Sequence, residues 1–129
     1  MILVDSSVWI DYFTGTDNSQ VQKLDDSLGF QPVAIGDLIF TAVLQGFRID
    51  KEFETAKSLL DELVFFEMLG QRMALRSAEN FRVLRKKGIT IRKTADVIIA
   101  SFCIDRKIPL LFSSKDFKPF VKYLGLQEA

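Results

Sequence analysis

Short unbroken apolar runs alternate along this chain with longer stretches whose apolar residues recur at helical spacing. Ile2-Leu3-Val4, closed by Asp5, reads as a buried first strand. Ser6 or Ser7 is placed to cap a helix carrying Val8, Trp9, Tyr12 and Phe13, stopped at Gly15. Asn18 or Ser19 starts a second helix, with Val21, Leu24 and Leu28 on one face. Pro32 to Ile35 is a short strand, and Gly36-Asp37 then opens a helix with Leu38, Ile39, Val43, Leu44 and Phe47. A further helix carries Phe53, Ala56, Leu59, Leu60 and Leu63, and Val64 to Met68 reads as a strand ended at Gly70. Arg72 to Lys87 is a helix with Met73, Ser77, Phe81 and Leu84 inward, basic residues outward and Gly88 as its stop. Thr94 is the N-cap candidate for Ala95 to Arg106, which buries Val97, Ile98, Ala100 and Phe102. Pro109 to Phe112 is a strand, placed at a sheet edge by its proline, and a short helix follows around Phe120 to Tyr123. Short strands alternating with amphipathic helices predict an α/β fold, a central parallel β-sheet flanked by α-helices.

Composition narrows the chemistry. The 129 residues suit one domain spanning 1–129, and 48% apolar residues with twelve Phe supply a core without disulfides. The one thiol, Cys103, sits in the apolar stretch Val97 to Ile104 and reads as a core residue, as suits a reducing cytoplasm. The start lacks the basic-then-apolar order of a signal peptide and is too short to span a membrane. There is no histidine, which excludes Ser-His-Asp triads, Cys-His dyads and His-ligated zinc within this chain. Net charge is zero but unevenly placed: residues 1–70 hold four Lys/Arg against twelve Asp/Glu, and residues 71–93 hold eight against one. That basic block runs from Arg72 to Lys93 and includes Arg82, Arg85 and Lys86. It is either a solvated helix face or a phosphate-contacting surface.

In parallel α/β sheets, ligands bind beyond the carboxyl ends of the strands. Asp5 lies at one such end, and Ser113, Ser114 and Asp116 lie just past another. Asp96 falls in the first turn of a helix, where its charge also suits the helix dipole. Capping and turn formation are the structural alternatives for Asp96 and Asp116. A carboxylate that follows a buried strand, as Asp5 does, needs a partner.

These residues stand in four ordered blocks. VDSSVWIDYF resembles the opening of VapC-type toxins of the PIN domain family, an acid after the first strand with a Ser or Thr beside it. IGDLIFTAVLQGF is similar to the family's second block, normally written with Thr-Glu before Val-Leu-Gln-Gly. TADVIIASFCI resembles the third, whose Asp opens a helix, and LLFSSKDF the fourth, a strand followed by Asn/Ser-Asp-Arg-Asp-Phe. The blocks nearly span the chain. The resemblance implies a PIN-like fold in which acids from distant segments converge. It places catalytic acids on Asp5, Asp96 and Asp116, with Asp5 and Asp96 holding metal and Ser6 and Ser114 supporting them. Two positions depart from the pattern: Ala42 stands where the family has its second acid, and Ser114 where the fourth block has its first.

By resemblance the function is that of a toxin in a type II toxin–antitoxin pair, an endoribonuclease hydrolysing RNA phosphodiester bonds with Mg²⁺ or Mn²⁺. Carboxylates about 4 Å apart repel by roughly 4 kcal/mol at an effective dielectric near 20, and a hard cation relieves this. With Ala42 and Ser114, two charges leave the site, so weaker metal binding and reduced or absent turnover are expected. The alternative is a catalytically silent PIN module that binds antitoxin or RNA. A phosphorylated receiver domain fits the length and the α/β pattern but needs an aspartate ending a middle strand, where Val64 to Met68 supplies only Glu67. The resemblance further implies a VapB-like antitoxin, RNA as substrate, a homodimer, no membrane and a cytoplasmic location. Trp9, Tyr12 and Phe13 are candidates for an exposed antitoxin contact beside the acidic cleft.

Overall fold

A computed structural model describes all residues 1–129. Its centre is a four-stranded sheet: β1 (Ile2–Val4), β2 (Val33–Gly36), β3 (Val64–Phe66) and β4 (Leu110–Leu111), in the order β3-β2-β1-β4. All pairings are parallel: Leu3 lies opposite Ala34 on one side and Leu110 on the other, and Ala34 lies opposite Val64. Parallel neighbours need crossovers, and helices supply them. These are α1 (Ser6–Thr14), α2 (Ser19–Ser27), α3 (Asp37–Leu44), α4 (Asp50–Asp61), α5 (Gln71–Lys86), α6 (Thr94–Arg106) and α7 (Lys118–Leu124). A 3-10 turn at Lys115–Phe117 joins β4 to α7.

Helices on both faces explain why β1 and β2 read as unbroken apolar runs rather than alternating ones, since every residue of both strands is buried. Their side chains join Trp9, Leu24, Ile39, Leu60, Phe102, Phe117 and Phe120 in one continuous core. Each fully buried Leu, Ile or Phe contributes about 1.5–3 kcal/mol. Cys103 lies in that core, where burial pushes its thiol up to about 12. Gly36 has a packing reason: a Cβ there would collide with Sδ and Cγ of Met68.

The edges behave as their positions require. β4 is an edge strand, as its proline suggested, and a parallel bridge from Leu110 to Glu128 partly covers it. β3 is the other edge; it ends at Phe66 rather than Met68, and Val64 and Phe65 are exposed. Three sequence expectations are corrected. The cap of α1 is Asp5, not Ser6 or Ser7: an oxygen one residue earlier reaches the free N–H of Ser7. Thr94 lies inside α6; Lys93 takes the cap position, without a side-chain hydrogen bond. Trp9 is not an exposed contact residue but is fully buried, stacked on Phe13 and edge-on to Tyr12, which are themselves half-buried.

Candidate acidic cleft

The pairing of β1 with β4 brings the first and last sequence blocks together. The N–H of Asp5 donates to the Leu111 carbonyl at 2.9 Å, so the acid ending β1 sits beside the turn that follows β4. Asp5 is only 4% exposed. Its Oδ2 accepts from Ser7 Oγ at 3.0 Å and from Ser7 N at 3.5 Å. Its Oδ1 is buried with no hydrogen-bond partner. Burial raises the Asp5 carboxyl above the ordinary carboxylate range; hydrogen bonds from Ser7 and the Ser6 backbone, and the Lys93 ammonium, pull it down. The residue that steadies Asp5 is therefore Ser7, not the expected Ser6.

Asp96 projects from the first turn of α6 and is half-buried. Its carboxyl is raised to about 6, by burial first, then by the charges of Asp5 and Asp116, against the opposing pull of Lys93. Asp96 thus feels both other acids. Asp116 lies in the 3-10 turn, its side chain 26% exposed, with Oδ2 4.0 Å from Arg92 Nη2. Ser114 caps that turn, its Oγ accepting from Asp116 N at 3.2 Å. Ala42 lies on α3, partly exposed, with no oxygen to offer. No group of three or more His, Cys, Asp or Glu side chains is spaced to hold a metal ion. The donor set still suits a small hard cation in kind, because Asp5 presents a bare buried oxygen and Asp96 a second carboxylate. Such a cation commonly takes one or two carboxylates and completes its shell with water and substrate phosphate. The acids are sufficient in type and sparse in number.

The basic block separates into groups. Arg72 is tied to Asp105 by two hydrogen bonds of 2.9 and 2.6 Å, and Arg76 lies 3.7 Å from Glu79. Arg82, Arg85 and Lys86 are exposed and form no ion pair, although the Arg85 guanidinium lies over Phe81. Arg82 and Arg85 edge a cavity of about 470 Å³ between α5 and α6, floored by Phe81, Ile91, Val97 and Ile98. The largest cavity, about 890 Å³, lies among α1, α3 and α4, lined by Ile10, Phe13, Val43, Phe47 and Ile49, and contains none of the three acids.

Sequence reasoning passed over three residues around this end of the sheet. Ser7 was hidden by its neighbour Ser6. Lys93 precedes Asp96 by three residues, the spacing that puts two side chains on one helical face, and that signal was present. Asp37 follows β2 as Asp5 follows β1, and its Oδ1 accepts from Leu38 N at 2.9 Å and from Met68 N at 3.1 Å.

A parallel sheet in the order β3-β2-β1-β4 with acids gathered at one strand end is the layout of a PIN domain. A model of that family, described as PIN domain, matches residues 2–122, and the chain belongs to the family. Membership implies a divalent metal cofactor. Among curated relatives, the VapC ribonuclease Mb1587 of Mycobacterium bovis and the ribonuclease VapC11 of Mycobacterium tuberculosis are each 25% identical over 131 residues, covering 100% of this chain and 98% of the relative. Among solved structures, VapBC2 from Rickettsia felis, bound to a DNA fragment from their promoter, superposes with a TM-score of 0.78 at 16% identity, covering 100% of this chain and 98% of that one. FitAcB from Neisseria gonorrhoeae gives 0.71 at 16% identity, covering 100% and 97%. At such identities the superpositions establish the shared fold. No helix is long and apolar enough to cross a membrane.

Proposed function

We propose that this chain is a VapC-type toxin of a type II toxin–antitoxin pair, an endoribonuclease whose turnover is weakened by Ala42 and Ser114. The observation that carries the reading is the bare, buried Oδ1 of Asp5 at the carboxyl end of β1, with Asp96 near enough to be perturbed by its charge. Asp5 and Asp96 would hold Mg²⁺ or Mn²⁺, which when bound supplies an activated water and offsets charge developing on the phosphate. Ser7, through its Oγ and its backbone N–H, fixes the Asp5 carboxylate. Asp116, steadied by Ser114 and Arg92, adds negative charge from the far side of the cleft. Ser114 offers a neutral oxygen where a carboxylate would bind a cation more tightly. The surface of Arg82, Arg85 and Lys86 contributes long-range attraction for RNA. A VapB-like antitoxin would block the cleft and cover apolar surface on α1, reaching Phe13 and Ile10 rather than the buried Trp9. A homodimer is the assembly we assign by relationship. The silent binding module is the second reading; what favours it is that no three acids are spaced to ligate a metal.

A purified-protein experiment separates the two. Mn²⁺ titration and RNA cleavage, with and without chelator, are compared for this chain, Ala42→Glu, Ser114→Asp and the double variant. The double variant gains metal affinity and chelator-sensitive cleavage beyond either single change, because ligands act as a unit. Robust chelator-sensitive cleavage by the unaltered chain would show that the two missing acids are dispensable. Absence of any gain in the double variant would refute the placement of the site.

A further inference from the structure

We propose that Arg92 and Lys93 clamp the RNA backbone at the mouth of the acidic cleft, so that an RNA phosphate docks there without a metal ion; this rests on the RNA-binding part of the reading above. Two cations of the basic block are committed elsewhere. Arg72 is held by both oxygens of Asp105, and Arg76 is paired within its own helix. Arg92 is 83% exposed and touches Asp116 through a single nitrogen at 4.0 Å, the outer limit of an ion pair. Lys93 has no carboxylate within ion-pair distance, yet its charge reaches both Asp5 and Asp96. The Lys93 carbonyl accepts from Asp96 N at 3.1 Å and from Val97 N at 3.4 Å, so its backbone is fixed at the start of α6. Two loosely paired cations therefore stand over three acids.

That balance matters because of what the cleft lacks. With carboxylates at positions 42 and 114, five acids would face two cations, and an incoming phosphate would meet strong repulsion unless a divalent ion intervened. With Ala42 and Ser114, three acids face two cations. A phosphodiester then meets little net charge and two free donors. Arg92 offers a planar fork to two phosphate oxygens, and Lys93 a point charge. Both act as positioning residues for the substrate, independent of whether the chain turns it over.

The test is equilibrium binding of a fluorescent single-stranded RNA to the full chain in excess chelator, across a range of KCl. Binding in chelator is expected. Arg92→Gln and Lys93→Gln should each weaken it for RNAs of differing sequence and flatten the log–log salt dependence by about 0.7. Arg92→Lys and Lys93→Arg should restore the slope. Lys23→Gln, which removes one unpaired surface charge on α2, should leave the slope unchanged. Urea unfolding of each variant checks the fold. If the Gln variants keep the unaltered slope, the clamp is wrong while RNA binding stands. RNA binding only with Mg²⁺ would make the metal the phosphate anchor and also overturn the clamp. No RNA binding in any condition would sink the RNA reading itself.

Discussion

Two neighbouring strands end alike and are used differently. Asp5 comes straight after β1 and Asp37 straight after β2, each acid following a fully buried strand and standing at the start of a helix. Asp37 is a brace: one oxygen takes the N–H groups of Leu38 and of Met68, fastening the start of α3 to the chain leaving β3. Asp5 has one oxygen held by Ser7 and the other bare in a buried setting with other acids nearby. A structural carboxylate is satisfied by the protein alone. A carboxylate left unsatisfied, buried and among its own kind needs something from outside the chain. The comparison also shows that following a strand is not in itself a functional signal.

The largest expected contrast is in metal-dependent turnover. In the Ala42→Glu, Ser114→Asp background, we expect metal affinity to rise by about 10- to 100-fold, the range by which a single supporting group changes a metal site. Adding Asp5→Asn should abolish chelator-sensitive cleavage, while adding Asp37→Asn should keep it. Equal losses from the two Asn changes would erase the distinction between brace and ligand.

Stability should reverse the order. Asp37→Ala strands the Met68 N–H beside a fully buried side chain and should cost about 1–3 kcal/mol in urea unfolding. Asp5→Asn keeps an acceptor for Ser7 and removes a charge that burial disfavours, so without metal it should cost nothing at neutral pH. A large loss from Asp5→Asn would make Asp5 a brace as well.

A pH series sharpens this. The folded carboxyl of Asp96 lies at about 6, above the value near 4 expected of the unfolded chain. The unfolded chain thus releases this proton first, so Asp96 favours folding below pH ~4 and that contribution is lost as pH rises through 6. Asp96 is half-exposed, so after allowance for solvent screening the effect is about 1 kcal/mol. Asp96→Asn should therefore be more stable than the unaltered chain at pH 7 by that amount, and equal to it below pH ~4. A divalent cation that binds the folded cleft should narrow the gap at pH 7.

The smallest effect concerns Trp9, whose Nε1 is also buried without a partner. An orphaned neutral N–H donor beside the rings of Tyr12 and Phe13 cannot ligate a cation. Trp9→Phe loses ring volume and sheds an unsatisfied donor, and the two should offset to within about 1 kcal/mol. Metal and RNA binding should not move.

Much of this was legible because parallel strands covered on both faces leave a plain mark: Ile2-Leu3-Val4 and Val33-Ala34-Ile35 are apolar without interruption. The acids were legible as a set because each follows a strand or opens a helix within an ordered block. Less legible was anything decided by a single residue of offset. The sequence marks Asp5 as a site and Ser6 or Ser7 as a cap, yet Asp5 does both, since its two oxygens act separately. The direction of α1 was lost because Val8, Trp9, Tyr12 and Phe13 leave no polar stripe to orient the helix, and the largest ring turned inward. Lys93 is one of eight basic residues in its block, and only its reach to Asp5 and Asp96 in the folded chain singles it out.

β1 is hydrogen-bonded on one side to β2 and on the other to β4, and Leu111 is separated from Val4 by nearly the whole length of the chain. The carbonyl that receives the Asp5 N–H belongs to that late segment. During synthesis the strand before the first acid therefore waits for its second neighbour until Leu110 and Leu111 have been made. A cleft assembled this way carries a built-in delay, because it is missing one wall until that late segment docks beside β1.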